Sequence, residues 1–226
     1  MKLIQQTAII LAAILLTTLP SCKSNFWSSE ECALIDSAAY SRMRVTTIDS
    51  PCDSLLLRSK CRPLTKETLL TPHFGRLAAS MIETVNNPEN EGVGIAAPQV
   101  GVLVRMVAVQ RFDKSGEPFE IYINPEIVER SDSLVVSSEG CLSVPGIHED
   151  VYRPETIRIN YLDENFVEHD EQLTGWPARI VQHEYDHLDG FVFTDRLSTL
   201  RKTLLRNKLN AMAKGKFSCA YRTKQK

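Results

Sequence analysis

The sequence predicts one globular domain behind an N-terminal extension, and its length, composition and charge support that prediction. The chain has 226 residues, a length typical of one compact domain. Hydrophobic residues make up 43% of it and charged residues 24%, which excludes collagen-like and wholly disordered proteins. The net charge of −2 gives no electrostatic reason to expect a protein that binds DNA.

The first 22 residues have the layout of a secretory signal. Lys2 supplies an early positive charge, an apolar run follows at residues 8–16, and residues 19–22 read Leu-Pro-Ser-Cys. The run is shorter than the roughly 20 apolar residues that span a membrane. Its ending resembles the lipobox of bacterial lipoproteins, so we expect Cys22 to be lipidated and to attach the chain to a membrane of the cell envelope.

Two alternatives to lipid attachment remain open. The signal can be cleaved in the ordinary way, with Cys22 incidental, or translation can begin at Met43, which would give a cytoplasmic protein. Residues 23–49 are rich in serine and short of periodic apolar residues, which is typical of a tether between an anchor and a domain. After the tether, His73 follows a proline and lies near the start of a predicted helix that runs to Val85.

A segment of small residues at 92–99 forms the next motif. It contains two glycines and two alanines and ends with Gln99. Small residues allow another part of the backbone to approach closely, and the Gln99 amide can donate a hydrogen bond to a developing oxyanion. The segment does not match a dinucleotide-binding fingerprint, because Ala97 stands where the third glycine is needed.

The strongest local motif lies in a predicted helix at residues 177–188. His183 and His187 are four residues apart, so both imidazoles can reach one metal ion from the same face of that helix. Glu184 is placed to act as a general base on a water at the metal. Cys141, next to a glycine and before a turn, is the best candidate for a third ligand, and three protein ligands leave a fourth position for water.

Leucines recur at helical spacing near the C-terminus and predict an amphipathic helix. We expect its apolar stripe to pack on the domain; its members are Leu197, Leu200, Leu204, Leu205, Leu209 and Met212. The ten residues after Asp195 that carry charge are all Lys or Arg. The basic face of this helix is either ordinary solvated surface or a contact for an acidic partner such as RNA or anionic lipid.

Together, the segments at 92–99, 139–143 and 182–190 resemble, in order and approximate spacing, the three motifs of the peptide deformylase family. The resemblance implies an α+β fold with antiparallel sheets around a central helix that carries the two histidines, in addition to the C-terminal amphipathic helix. It extends from about residue 50 to residue 216. We therefore place the catalytic domain at 50–216 and a basic tail at 217–226.

The resemblance also implies an activity, which is removal of the formyl group from the N-terminal formylmethionine of polypeptides. Cys141, His183 and His187 would be the metal ligands, and Glu184 the general acid and base. The family commonly uses ferrous iron, whereas the ligand types alone suit zinc. A metal-bound water ionises near neutral pH instead of at 15.7, its value in bulk, so hydroxide would be available to attack.

The same resemblance assigns the contacts to the substrate. Gln99 and the backbone N–H of Leu142 would stabilise the oxyanion, and the carbonyl of Gly94, beside Val93, would hold the substrate N–H. Trp176 and Arg179 lie near the place where the family builds its pocket for the methionine side chain, and we expect His148 and His169 to be ordinary surface histidines.

Location decides which polypeptides would be substrates. Secretion would make exported formylated peptides the substrate class, and the ribosome would be a partner only if the chain is cytoplasmic. Two other functions remain as alternatives. A zinc endopeptidase shares the His-Glu-x-x-His pattern and would take its third ligand from Asp189 or Asp195. A surface lipoprotein without activity could also keep this fold.

The remaining cysteines allow disulfides, which persist outside the cytoplasm. Cys32, Cys52, Cys61 and Cys219 have three pairings. A bridge from Cys52 to Cys61 would require adjacent strands, and four free thiols are the expectation.

Overall fold

The computed structural model describes residues 26–89 and 92–213. In these ranges the helices are α1 (Ser29–Ala38), α2 (Pro51–Leu57), α3 (Lys66–Leu69), α4 (Pro72–Val85), α5 (Gly175–Leu188) and α6 (Thr199–Ala213). The strands are β1 (Gly94–Ala96), β2 (Met106–Gln110), β3 (Phe119–Arg130), β4 (Leu134–Glu139), β5 (Glu149–Pro154), β6 (Thr156–Leu162) and β7 (Glu168–Thr174). Short 3₁₀ turns occupy Ala97–Val100 and Phe193–Arg196.

The strands form two antiparallel sheets. One has five strands in the order β1-β2-β3-β6-β7, and the other is the hairpin of β4 and β5. Burial alternates along β6, where Ile157, Ile159 and Tyr161 face inward, as expected for a sheet with one face on a core. The predicted α+β class is confirmed.

Helix α5 runs through the centre of the domain. Ten of its fourteen residues are buried, because the five-stranded sheet covers one side and the β4–β5 hairpin covers another. Ile180, Val181 and Leu188 pack into the core cluster formed by the sheet. The helix predicted at 177–188 is therefore confirmed, with its first residue at Gly175, and its central position encloses the histidines.

The predicted helix after residue 71 is also present, as α4. Its proline occupies the first turn, where the missing N–H costs no hydrogen bond and the fixed φ suits a helix. Buried residues of α4 such as Leu77 and Met81 belong to a second core cluster. The last residue of the helix, Val85, lies directly before the loop that leads to the small-residue segment at 92–99.

The predicted tether at 23–49 is wrong from residue 26 onward. Ser28 accepts a hydrogen bond from Glu31 N–H and caps α1, and the Glu31 side chain completes a capping box. Trp27 and Ile35 are 5% and 0% exposed, and both belong to the core cluster that contains α4. Serine in this segment therefore marks a helix start, because its hydroxyl can satisfy a free N–H at the first turn.

We expect an Ile35→Ala variant to lose about 2–5 kcal/mol of unfolding free energy, because a fully buried side chain is replaced by a cavity. Chemical denaturation would measure the loss. Leu55→Ala is the matched control, since Leu55 is 73% exposed and such a change stays within about 0.5 kcal/mol. Equal effects of the two substitutions would mean that α1 does not pack as described.

The C-terminal helix is present as α6, but only part of its apolar stripe is packed. Leu205 and Leu209 lie against the core cluster that includes the buried Leu197, whereas Leu200 and Leu204 are 68% and 65% exposed. A helix turns by about 100° per residue, so the two pairs lie about 140° apart around its axis. The expected packing is therefore wrong for Leu200 and Leu204.

Three basic residues of α6 contact the domain, among them Lys208, whose ammonium donates to the carbonyl of Gly146 at 2.5 Å. Arg201 pairs with Glu149, and the Lys202 ammonium donates to the carbonyl of Asp195 at 2.8 Å. The side chain of Met212 lies outside the described residues. Within the described part of the chain, no helix combines the length and the hydropathy that crossing a bilayer requires.

Candidate active site

The three predicted metal ligands come together in the structure. One ligand atom from each of Cys141, His183 and His187 can be chosen so that all three lie within 4.8 Å of one another. The Cys141 Sγ and His187 Nε2 atoms are 3.3 Å apart, close to the separation of about 3.5 Å expected between ligands of a tetrahedral ion. In residues 26–89 and 92–213, this is the one group of cysteine, histidine and acidic side chains able to hold a metal ion.

The secondary structure explains this convergence. His183 and His187 lie one turn apart on α5, and their ring centroids are 5.3 Å from each other. Cys141 lies two residues after the last residue of β4 and begins a turn in which Val144 N–H donates to its carbonyl. The β4–β5 hairpin packs beside α5, so the thiol reaches the two imidazoles although 42 residues separate it from the first of them.

The electrostatics favour a thiolate at Cys141. Burial opposes ionisation, but the neighbouring His187 and His183 outweigh it and lower the pKa of the thiol to about 5. A thiolate and two imidazoles suit a divalent metal such as zinc or ferrous iron. The residues therefore fit the metal ion that the sequence motifs predicted.

Glu184 lies in the same cavity with one carboxylate oxygen available. Its Oε2 atom is buried and has no hydrogen-bond partner among the described residues. Burial raises the pKa of Glu184 to about 7, although His183 and His187 oppose the rise. A carboxyl group of this kind can accept and return a proton near neutral pH, as a general base must.

The glycine at position 94 allows β1 to approach Glu184. A Cβ atom added to Gly94 would lie 2.7 Å from Glu184 Oε1 and 2.8 Å from Ile180 Cγ2. Both distances are far shorter than ordinary van der Waals contacts. The small residue predicted to permit close approach therefore places the backbone of β1 against α5.

Gln99 is held so that its NH₂ group points toward Cys141, one of the three predicted metal ligands. Its Oε1 atom accepts a hydrogen bond from Ala96 N–H at 2.8 Å, and its Nε2 atom lies 3.2 Å from Ser143 Oγ and 3.5 Å from Cys141 Sγ. The acceptor end is already occupied by the backbone. This geometry suits the predicted oxyanion donor.

A cavity of about 590 Å³ opens beside these groups. Its walls include the three residues assigned to substrate binding, which are Val93, Gly94 and Leu142, together with Gln99, Cys141, His183 and Glu184. The cavity is large enough for a methionyl side chain and the first peptide bonds. The structure thus brings the predicted site residues in the described ranges to one cavity except His187, which is fully buried behind Cys141. Cys22 lies outside those ranges.

Sequence reasoning missed the groups that orient His183. Glu139 accepts a hydrogen bond from His183 Nδ1 at 2.9 Å, which leaves Nε2 of that ring to face the metal site. Arg153 Nε and Arg179 Nη1 each donate to Glu139 Oε1 at 2.6 Å. Burial works against ionisation of Glu139, but hydrogen bonds from Arg153 and His183 hold its pKa well below the ordinary value.

Arg153 also connects the Glu139 carboxylate to that of Asp186. Arg153 Nη1 donates to Asp186 Oδ2 at 2.9 Å, and Arg196 also pairs with Asp186. Strand alternation could have found Arg153, because it shares the inward face of β5 with the buried Val151. Nothing in the spacing of the motifs indicates that this arginine joins Glu139 to α5.

We expect a Glu139→Gln variant to bind metal about 10–100-fold more weakly, because it loses the charged acceptor that orients a ligand histidine. Competition with a chelator would measure the affinity. Glu171→Gln is the matched control, since Glu171 pairs with the buried Arg111 away from the cavity. Unchanged affinity in Glu139→Gln, or an equal loss in both variants, would contradict this role.

The other histidines and cysteines agree only in part with the expectations from the sequence. His148 is exposed, as expected, and it also lines the cavity, with its Nε2 atom 2.5 Å from where a Cβ of Gly140 would be. His169 is half-buried and pairs with Asp163 at 2.9 Å. Cys52 and Cys61 are free thiols, as expected, and Cys52 lies on α2 instead of the strand that a bridge would require.

Trp176 and Arg179, which were expected near the methionine pocket, both line the cavity but differ in their contacts. Trp176 lines the cavity and is 43% exposed. Arg179 also lines the cavity, but its guanidinium is bonded to Glu139 and to the carbonyls of Val151 and Val135. Its role is therefore to hold the hairpin against α5.

The two acids proposed as alternative third ligands are engaged elsewhere. Asp189 pairs with Arg105 at 2.8 Å, and Asp195 pairs with Arg58. Neither belongs to the group of potential metal ligands. The ligand set of the endopeptidase alternative is therefore not formed.

Comparison with known proteins agrees with the site. The family model described as polypeptide deformylase matches residues 28–203, which begins upstream of the expected start at residue 50. The chain is 38% identical over 180 residues to the peptide deformylase of Christiangramia forsetii, with 74% of this chain and 89% of that protein covered. It is 43% identical over 153 residues to that of Cytophaga hutchinsonii, with 66% and 82% covered.

A solved structure is similar as well. It is a class I type b peptide deformylase from Acinetobacter baumannii with Met-Ala-Ser bound, with a TM-score of 0.57 and 36% identity over 63% of this chain and 92% of that chain. The family match extends over most of the chain and includes every residue of the metal cluster. The chain belongs to the polypeptide deformylase family.

Proposed function

We propose that Cys141, His183 and His187 hold one divalent metal ion with which this deformylase hydrolyses the formyl amide of formyl-methionyl polypeptides. The observation that carries the proposal is the cluster of these three ligands beside one cavity, which Cys141 and His183 line together with Glu184 and Gln99. When bound, the metal would lower the pKa of a water molecule and polarise the formyl carbonyl.

The chain's own residues would then complete the reaction. Glu184 takes a proton from the attacking water and delivers it to the departing amine of methionine, for which a pKa of about 7 is well placed. The Gln99 NH₂ group and the N–H of Leu142 stabilise the negative charge that develops on the formyl oxygen. The Gly94 carbonyl accepts the substrate N–H, and Val93 contacts the peptide beside it.

Release of formate from a formyl-methionyl tripeptide tests this function. The metal-loaded enzyme should release one formate for each free methionyl amine formed. An acetyl-methionyl tripeptide of the same sequence is the matched substrate control, because its extra methyl group occupies space at the reacting carbonyl. Cleavage of an internal peptide bond without release of formate would favour the endopeptidase.

The identity of the metal is a further proposal. The deformylase resemblance favours ferrous iron, and the ligand types equally suit zinc. An oxidising compartment would endanger both a ferrous ion and the Cys141 thiolate, so a secreted enzyme would be better served by zinc. Elemental analysis of enzyme purified without oxygen would distinguish the two ions.

We also propose that the signal at residues 1–22 is used, that Cys22 is lipidated, and that the enzyme acts on exported formylated peptides in the cell envelope. The burial of Trp27 and Ile35 supports a chain that begins upstream of α1, since a start at Met43 would remove them from the core. Contact with a ribosome would arise only in a cytoplasmic form. Mass spectrometry of membrane fractions tests this location, and an intact unlipidated chain starting at Met43 would overturn it.

A further inference from the structure

The chain leaves very little length between Cys22 and the folded domain. Three residues separate Cys22 from Phe26, and the next residue, Trp27, is buried in the core with 5% of its surface exposed. Four residue steps can extend at most about 14 Å. If Cys22 carries lipid, the part of the domain that contains Phe26 and Trp27 must lie within that distance of the bilayer surface.

Trp27 marks one end of α4. Its indole N–H donates to Thr71 Oγ1 at 3.1 Å, and Thr71 is the residue that precedes α4. From there, the chain follows α4 along its length: Asp36 bonds to Arg76 at 2.5 Å, and Met43 N–H donates to Thr84 Oγ1 at 2.8 Å. The lipid attachment site at Cys22 must therefore lie close to the N-terminal end of α4.

The catalytic cavity lies at the opposite end of the same helix. Val85, the last residue of α4, is 2.8 Å from where a Cβ of Gly92 would be, and Gly92 lines the cavity. Fourteen residues of helix extend for about 21 Å. Lipid attachment and catalytic cavity are thus separated by the length of α4.

The surface at the N-terminal end of α4 carries an exposed apolar side chain and a half-buried aromatic ring that can contact a bilayer. Leu70 is 75% exposed and directly precedes Thr71, and the half-buried Phe26 lies under the guanidinium of Arg62 at 4.6 Å. The first turn of α1 begins at the same end, where Glu31 pairs with Arg62 and Glu30 is exposed. The contact therefore depends on the apolar Leu70 and on the short chain to Cys22, and not on attraction of anionic lipid.

We propose that the lipid on Cys22 holds the N-terminal end of α4 against a phospholipid bilayer, with Trp27 and Leu70 next to the headgroups and the catalytic cavity directed away from them. This orientation rests on the proposed lipidation. It makes the substrates peptides that approach from the aqueous side, since nothing in the membrane has to enter the cavity.

The two tryptophans of the chain are natural reporters for the two ends of α4. Trp176→Phe leaves Trp27 near the attachment site, and Trp27→Phe leaves Trp176 at the cavity. Full-length lipidated protein with bound metal would be reconstituted on phosphatidylcholine and phosphatidylglycerol vesicles that contain a headgroup nitroxide lipid. We expect clear quenching of Trp27 fluorescence and little quenching of Trp176 fluorescence. In the Cys22→Ser versions, neither tryptophan should be quenched.

Because a Trp27→Phe variant could fold poorly, a second measurement uses protein with no substitution in the core. Hydrogen exchange of the lipidated protein on vesicles should slow at residues 66–76 and stay unchanged at residues 138–148, relative to Cys22→Ser. Turnover of a soluble formyl-methionyl tripeptide should agree within about twofold between the two proteins, because the cavity remains open to water.

The possible results distinguish the membrane orientation from the lipidation of Cys22, on which it depends, and from the enzymatic function. Quenching of Trp176 equal to that of Trp27, or slowed exchange at residues 138–148, would overturn the orientation while leaving the lipid in place. An unmodified Cys22 in the mass spectrum would overturn both the orientation and the lipidation. Formate release by the same preparations reports on the enzymatic function independently.

Discussion

Replacing Glu184 with glutamine is expected to lower kcat by about 10²–10⁴-fold while the metal content stays at one ion per chain. The glutamine keeps the shape of the side chain but cannot accept a proton from water. It also leaves the three ligands in place, because Glu184 lies outside the group of ligand atoms that converge on one point. Steady-state formate release and elemental analysis of the same preparation would measure both quantities.

Glu83→Gln is the matched control for this variant. Glu83 lies on α4 and is exposed, so the same chemical change should leave kcat unaltered. Loss of metal from Glu184→Gln would show that this carboxylate is a ligand instead of a base. Full activity in Glu184→Gln would remove it from the mechanism altogether.

A Cys141→Ala variant is expected to lose its metal ion and, with it, its activity. Two histidines would remain, and a site reduced from three protein ligands to two should lose more affinity than the 10–100-fold that an outer partner such as Glu139 contributes. Metal stoichiometry after passage through a chelating resin is the measurement. Reloading with excess zinc or ferrous iron should restore little turnover.

The control for this variant is Cys52→Ala, which removes an exposed thiol on α2 and should change neither metal content nor turnover. Stoichiometric metal in Cys141→Ala would be the result that favours the endopeptidase alternative, in which another side chain completes the site. The pairing of Asp189 and Asp195 with arginines leads us to expect the opposite.

The parts of the site that sequence reasoning predicted depend on short-range geometry. The spacing of His183 and His187 predicts a shared metal because helix geometry alone places side chains four residues apart on one face. The glycine at position 94 predicts a close approach because only a residue without Cβ permits it. Such inferences need no knowledge of which elements are neighbours.

The parts that were missed depend on which elements lie beside each other. Arg153 is on β5 and bonds to Glu139 at the end of β4 and to Asp186 on α5, and no local pattern joins these three positions. The exposed Leu200 and Leu204 show the same limit. Their helical periodicity was correct, but the domain offers an apolar surface only to the face that carries Leu205 and Leu209.

The N-terminal segment shows how composition can mislead. Its serines suggested a tether, yet Ser28 caps a helix and Trp27 reaches the core. Whether a sparse set of apolar residues is buried depends on the surface that receives them, and here α4 provides it.

The sequence by itself predicted the candidate metal ligands and general base and determined the family and its fold class, because each follows from residue types at short spacings or from motifs in a set order. Only the tertiary structure decided the partners of those residues: the carboxylate that orients His183, the arginines that neutralise it, and the distance between the N-terminal segment and the cavity. The physical reason is that side-chain spacing along one helix or strand is set by backbone geometry, whereas contacts between elements are selected by how the whole chain packs.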